Sequence, residues 1–141
     1  MRAVIQRTVD ARCEVNGRQI SGFMGEGLVV LLGVTHGDGP AQAQTMARKI
    51  AELKLLRGER SLEEASAPVM VISQFTLYGD TKKGRKPSWS KAAPGPVAEP
   101  LIESVALALE ERGLVAARGV FGADMRITLT NDGPVTLLVD T

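Results

Sequence analysis

The run Leu28-Val29-Val30-Leu31-Leu32 is the feature that most restricts how this chain can fold. Apolar residues in unbroken succession cannot make a strand with one wet face, so both faces must be covered and the strand must be central. The residues before it supply a neighbour. Val9, Ala11, Cys13 and Val15 alternate with Asp10, Arg12 and Glu14, the period of a half-buried strand. Asn16-Gly17, both tolerant of positive φ, then predicts a tight hairpin with a return strand from Arg18 to Ser21. A glycine-punctuated turn around Gly25 and Gly27 leads into the central run.

Helices are expected on that sheet. Pro40 suits a first helical turn, and Ala43, Met46, Ala47, Ile50 and Leu53 recur at helical spacing with Gln44, Arg48 and Glu52 on other faces. A second helix is expected after Pro100, burying Leu101, Val105, Ala108 and Leu109, with Gly113 as its C-terminal cap. Further strands are expected at Val69-Met70-Val71-Ile72, Met125 to Thr130 and Val135 to Val139, the last two separated by Asn131-Asp132-Gly133-Pro134. Strands, helix, strand, helix and strands in that order argue for a mixed sheet with helices packed on it. At 141 residues and 44% hydrophobic composition, one domain spanning 1–141 is expected.

Several function classes recede. With a formal charge of +1, attraction to a polyanion must come from local clustering. Cys13 is the one cysteine, which rules out an internal disulfide and fits a reducing cytoplasm. Polar residues interrupt the N-terminus too early for a signal sequence, and no apolar run approaches the roughly 18 residues of a membrane span, so a soluble protein is expected. His36 is the sole histidine, in the turn-like stretch Thr35-His36-Gly37-Asp38-Gly39-Pro40, and reads as a solvated loop residue. A zinc site of the usual ligand types is therefore not expected.

Two short motifs end apolar runs where a sheet would deliver polar atoms to its rim: Ser73-Gln74-Phe75-Thr76, and Asn131-Asp132-Gly133-Pro134-Val135-Thr136. Both are small-residue, backbone-exposing motifs, which points to a site built largely from main chain. Between them, Thr81 to Lys91 carries Lys82, Lys83, Arg85, Lys86 and Lys91 with no acid and the only tryptophan, Trp89. It fits a phosphate-contacting loop beside Ser73 to Thr76, with Trp89 anchoring the loop or stacking on a base, and it equally fits a solvated loop.

These motifs, with Val4-Ile5-Gln6-Arg7, Gly119-Val120-Phe121-Gly122-Ala123-Asp124-Met125 and Gly84-Arg85-Lys86-Pro87-Ser88-Trp89, resemble the D-aminoacyl-tRNA deacylases in the same order over nearly the whole chain. The resemblance implies a cytoplasmic homodimer without metal or organic cofactor that hydrolyses the ester joining a D-amino acid, or glycine, to the terminal ribose of tRNA. It implies catalysis around Ser73, Gln74, Phe75 and Thr76, with the main-chain amide of Phe75 near the carbonyl and the substrate's own 2′-hydroxyl helping to activate water. Gly133-Pro134 would form a cis peptide entering the partner subunit's pocket and excluding L side chains, with Thr136 beside it and Arg7 bracing the turn. Met125 would be core or touch the terminal adenine. Lys82, Lys83, Arg85, Lys86 and Trp89 would meet the acceptor stem and 3′-terminal adenosine.

Other readings of the same residues stand beside this one. Gly133-Pro134 also fits a plain trans turn, the commoner isomer of any X-Pro bond. Thr76 and Thr136 also fit strand-end hydroxyls capping main chain. A Thr76-nucleophile esterase and a non-catalytic module binding the tRNA 3′ end are the alternatives in function. Between Leu55 and Val69 the chain departs from the family pattern, in which a longer hairpin is usual. The fold expected from all of this is a mixed α/β domain layered as sheet, sheet and helices.

Overall fold

The computed structural model describes residues 1–141. In chain order it comprises β1 (Arg2–Val15), β2 (Arg18–Gly33), α1 (Pro40–Glu52), α2 (Leu62–Ala65), β3 (Val69–Ser73), a single 3₁₀ turn (Phe75–Tyr78), α3 (Gly95–Glu111), β4 (Ala116–Arg118) and β5 (Met125–Asp140). One five-stranded sheet has the order β4-β3-β2-β1-β5. β1 pairs antiparallel with both β2 and β5, whereas β2–β3 and β3–β4 are parallel, so the sheet is mixed as expected.

The central run behaves as its composition demands. Leu28, Val30 and Leu32 pack with Ala3, Ile5, Val69 and Val71 under the helices, which contribute Met46 and Ile50 from α1 and Val105 and Leu109 from α3. Val29 faces the other way and joins Met70, Ile72, Ala11 and Cys13 in a second, smaller core. That second core closes because the long strands curl. The distal part of β2 folds back far enough for Ser21 Oγ to donate to the Arg118 carbonyl at 2.6 Å, on a strand to which β2 is not paired. Phe23, Met125, Ile127 and Leu129 pack onto the same cluster. The layers are thus sheet, curled sheet and helices.

Two sequence expectations require correction. The return strand and the central run are one continuous β2, and the turn expected at Gly25 and Gly27 is a register shift at which Gly25 and Glu26 stand opposite Val9 of β1 alone. α3 begins at Gly95, five residues before Pro100, which lies inside the helix. An internal proline costs about 3 kcal/mol, and burying a leucine-sized side chain returns about 1.5–3 kcal/mol. Ala98 and Leu101 are both buried, and Pro96 already suits the first turn, so packing extends the helix back through the proline. At the other end, Gly113 has φ 81 and its amide donates to the Glu110 carbonyl at 2.8 Å, the left-handed stop expected of it.

The 3₁₀ turn is fixed to the opposite side of the sheet by Arg2. Its guanidinium lies 5.3 Å from the Tyr78 ring centroid, donates to the Leu77 carbonyl at 3.4 Å and pairs with Asp140 at 2.9 Å. Gly33 makes the close approach possible, since a Cβ there would meet the Gln74 carbonyl at 2.9 Å and both Leu77 and Tyr78 at 3.2 Å. Burial first, then the Asp38 carboxylate, push the Tyr78 phenol up to about 12, with Arg2 opposing and Asp140 adding. Because the folded value lies above the unfolded one of about 10, this stabilisation is complete below pH 10 and is lost as pH rises through about 12. Tyr78 is the only tyrosine, so phenolate absorbance reads it directly. Its midpoint is expected near 12 in the folded protein and near 10 in denaturant; a folded midpoint near 10 would mean the ring is not sealed.

Candidate active site

β3 ends at Ser73, which pairs with Leu32, and the Gln74 amide continues the ladder to the Leu32 carbonyl at 2.8 Å. The chain then breaks from extended geometry at Gln74 (φ −146°, ψ 78°) and closes one 3₁₀ turn from Phe75 to Tyr78. The first amides of such a turn have no carbonyl behind them to bond. The Phe75 and Thr76 N–H groups accordingly donate to no acceptor in the chain, while the next amide, of Leu77, bonds the Gln74 carbonyl at 3.2 Å. Two unspent main-chain donors therefore stand at the rim where β3 stops.

Beside them lies an apolar cavity of about 370 Å³ lined by Ser73, Phe75, Trp89, Leu32, Val34 and Phe121. A second cavity of about 560 Å³, between α3 and the β3–β4 rim, shares Ser73, Ile102 and Phe121 with it. Phe75 is 56% exposed, and its ring meets Trp89 edge to face at 5.5 Å. The Thr76 hydroxyl accepts from the Gln74 side-chain amide, which is no general base. His36, the only imidazole, is instead tied through Nε2 to the Ser90 carbonyl at 3.0 Å. Neither supplies a base for a threonine nucleophile.

The basic segment is a loop pinched at its neck by paired Asp80–Ser88 main-chain bonds of 2.8 and 2.9 Å and by the Lys91–Asp80 ion pair at 2.9 Å. Lys82, Lys83, Arg85 and Lys86 are fully displayed on it and make no ion pair, and Trp89 is wedged against Gly79, where a Cβ would stand 2.7 Å from the indole. The loop therefore holds unpaired cations next to the Phe75 cavity. Met125 lies elsewhere: it packs on Gly119 and its sulfur accepts from the Val120 amide at 3.3 Å, lining neither cavity.

Asn131 to Thr136 is not a hairpin. Asn131 pairs with Thr8 and Thr136 with Gln6, so Asp132, Gly133, Pro134 and Val135 stand opposite Arg7 alone, looped out of a strand that resumes in the same direction. Arg7 Nε donates to the Asp132 carbonyl at 2.9 Å and Nη1 to the Leu55 carbonyl at 3.3 Å. Asn131 Nδ2 donates to the Gly133 carbonyl at 2.7 Å, and the Thr136 hydroxyl bonds the Gln6 side chain. Gly133 has φ 70, the left-handed region that favours glycine, and a Cβ on it would lie 2.9 Å from Arg7 Nη2, the end of a side chain that would have to shift. No peptide bond in the chain is cis, which corrects the expectation for Gly133-Pro134. The trans isomer is the favoured one by about 0.5–1 kcal/mol, and the left-handed glycine already reverses the chain without it.

Arg57 was not legible as a site residue. It closes on Asp132 with two hydrogen bonds, Nη2 to Oδ1 at 2.7 Å and Nε to Oδ2 at 3.0 Å. These hold the Asp132 carboxyl below the usual carboxylate range against its partial burial, with Arg7 adding to the effect. A cleft of about 480 Å³ opens here, lined by Arg7, Lys54, Arg57, Pro134 and Thr136.

The two motifs do not meet within one chain. Ser73 is level with Leu32 at one end of β3, whereas Arg7, opposite the bulge, is level with Leu28 and Val69 at the other. Four residues along a strand and three strand spacings across place them roughly 20 Å apart over the sheet. No group of three His, Cys, Asp or Glu side chains is arranged to hold a metal ion.

Fold and rim together define a mixed α/β protein that offers main-chain donors beside an apolar pocket and a cationic loop. A family model described as D-Tyr-tRNA(Tyr) deacylase matches residues 4–140. Proteins named D-aminoacyl-tRNA deacylase from Beutenbergia cavernae and Kineococcus radiotolerans are 58% and 56% identical over 140 residues, covering 99% of this chain and 99% of each relative. The solved structure of a c-Myc DNA unwinding element binding protein is 35% identical with TM-score 0.91, over 100% of this chain and 99% of that one. A probable eukaryotic D-amino acid tRNA deacylase shares the fold at TM-score 0.86 and 16% identity, over 99% and 98% of the two chains. The chain belongs to the D-Tyr-tRNA(Tyr) deacylase family.

Proposed function

We infer that the protein hydrolyses the ester between a D-amino acid, or glycine, and the 3′-terminal ribose of tRNA. The observation that carries this reading is the pair of unspent amides at Phe75 and Thr76 beside the apolar cavity. An aminoacyl ester next to a ribose hydroxyl is already reactive, so orienting water and stabilising the developing oxyanion suffice. The amides supply the oxyanion donors, the substrate's own 2′-hydroxyl assists the water, and no metal or organic cofactor takes part. Lys82, Lys83, Arg85 and Lys86 meet the acceptor-stem phosphates, and Trp89 borders the pocket that takes the terminal nucleoside.

Enantiomers carry the same groups, so selectivity must come from exclusion. The Gly133-Pro134 bulge is braced main chain of the kind that can stand where an L side chain would go, and glycine, presenting only hydrogen there, passes. Because the bulge is roughly 20 Å from Phe75 in its own chain, it acts on the pocket of a second copy, in a symmetric homodimer. Support for such pairing comes from β5, an edge strand of 16 residues that leaves Leu138 63% exposed.

One tRNA charged in turn with D-tyrosine, L-tyrosine and glycine, incubated with enzyme and a chelator, tests this. The D-tyrosyl and glycyl esters are expected to disappear and the L-ester to survive. Equal hydrolysis of both enantiomers would mark a general esterase, and binding without hydrolysis would mark a module that only holds the tRNA end.

A further inference from the structure

We propose that Arg57 is a positioning residue for chiral selection, clamping Asp132 so that the adjoining Gly133-Pro134 main chain keeps one orientation. The proposal rests on the reading of the bulge as the excluding element. Gly133, at φ 70, is a pivot, and Pro134 at the tip is exposed, so the bulge is only as rigid as its base. Arg7 Nε donates to the main-chain carbonyl of Asp132 at 2.9 Å and also lies 3.3 Å from carboxylate Oδ2, holding that edge of the residue from one side. Arg57 secures both carboxylate oxygens, which fixes the plane of the side chain and with it the rotation of the residue before the pivot.

Arg57 can do this because it is itself held. It sits in a tight turn closed by the Leu56–Arg60 bridge, with Gly58 and Glu59 both at positive φ. Its main-chain amide donates to Glu26 Oε1 at 2.7 Å, and Arg60 joins the Arg57 carbonyl at 3.0 Å to Glu26 Oε2 at 2.7 Å. Glu26, in β2, thus carries the turn, the turn presents Arg57, and Arg57 aims the bulge. The Asp132 side chain is only 14% exposed although Arg57 is 64% exposed, so one end of the pair is sheltered and the geometry is bidentate, the arrangement in which a surface pair does more than a solvated one. A lysine offers no planar fork and cannot reproduce it.

Arg57→Gln, Asp132→Asn and the double variant are to be compared with the wild type for kcat and KM on D-tyrosyl- and L-tyrosyl-tRNA, with Pro134→Ala alongside. Each single variant is expected to raise L- relative to D-hydrolysis by about tenfold through kcat, with the unfolding midpoint close to wild type, and the double variant to be no worse than either. Arg57→Lys is expected to follow Arg57→Gln. Amide exchange at Gly133 and Val135 is expected to quicken by about tenfold in Arg57→Gln, a readout independent of turnover. Unchanged selectivity and exchange in Arg57→Gln, or effects that simply add in the double variant, would overturn the proposal. If Pro134→Ala still shifts selectivity, the bulge keeps its role and only the clamp falls; if Pro134→Ala is silent as well, the excluding role of the bulge falls with it.

Discussion

Phe75→Pro is expected to lower kcat for D-aminoacyl-tRNA by about 10²- to 10³-fold, the cost of one lost oxyanion donor. Proline deletes the N–H, and the local backbone can accept it. Position 75 opens the 3₁₀ turn, where a proline is tolerated and the missing amide bonded nothing in the chain, and Gln74 is already outside helical geometry as a residue before proline should be. The substitution also removes the ring that meets Trp89, so Phe75→Ala is the necessary partner. It keeps the amide and is expected to lose far less kcat. Thr76→Ala, which keeps its amide too, is expected to retain most activity. Equal losses in the proline and alanine variants would assign the effect to the ring, and a dead, well-folded Thr76→Ala would return the hydroxyl to the centre of the chemistry.

Two inactive variants are expected to rescue each other. Pro134→Trp places a bulky group at an exposed tip that its own chain can accommodate, where it would plug the partner's pocket. Phe75→Pro disables the donor half and leaves the bulge intact. In a mixed dimer, one site then combines both lesions and the other combines two wild-type halves. Random exchange makes half the dimers mixed, each with one good site of two, so activity is expected to return to about a quarter of the wild-type level. Activity is read as D-tyrosyl-tRNA turnover before and after the two proteins are co-refolded. No recovery despite subunit exchange would place both halves of the site in one chain and contradict the roughly 20 Å separation along the sheet.

What the sequence revealed divides by the range of the cause. The central strand, the Asn16-Gly17 hairpin, α1 and the end of β3 at Ser73 follow from local pattern and local backbone preference, and each was legible. The early start of α3 was not, because a proline inside a helix is tolerated only when distant residues bury Ala98 and Leu101. The bulge at Gly133-Pro134 read as a separator between two strands, since nothing in the segment says that both halves pair with the same side of β1. Motif likeness singled out the segments Ser73 to Thr76 and Asn131 to Thr136, from which the candidate site is proposed, and it gave Gly133-Pro134 the wrong isomer for this structure. Arg57 left no trace at all. Its role depends on Glu26 and Asp132, residues 31 and 75 positions away in sequence, and on a turn in the one segment where the family pattern gave no guidance.

The looped-out residues of β5 also settle a question of parity. Met125, Ile127, Leu129 and Val139 are all odd-numbered, and along an uninterrupted pleat they would all point to one side. Leu129 instead faces the smaller core with Ala11, and Val139 the helix-side core with Ala3. β1 changes phase at its own bulge between Thr8 and Asp10, so Ala3 and Ile5 serve one core and Ala11 and Cys13 the other. In β5 the Gly133-Pro134 excursion places four residues opposite Arg7 where a regular ladder needs one, and that odd surplus of three is what gives Val139 the same parity as Leu129 on the opposite face. Removing those three residues would leave Thr136 opposite Gln6 and Val139 opposite Ala3, so the excursion is carried by the scaffold without being needed by it, and a change of length there is felt at the rim before it is felt in the core.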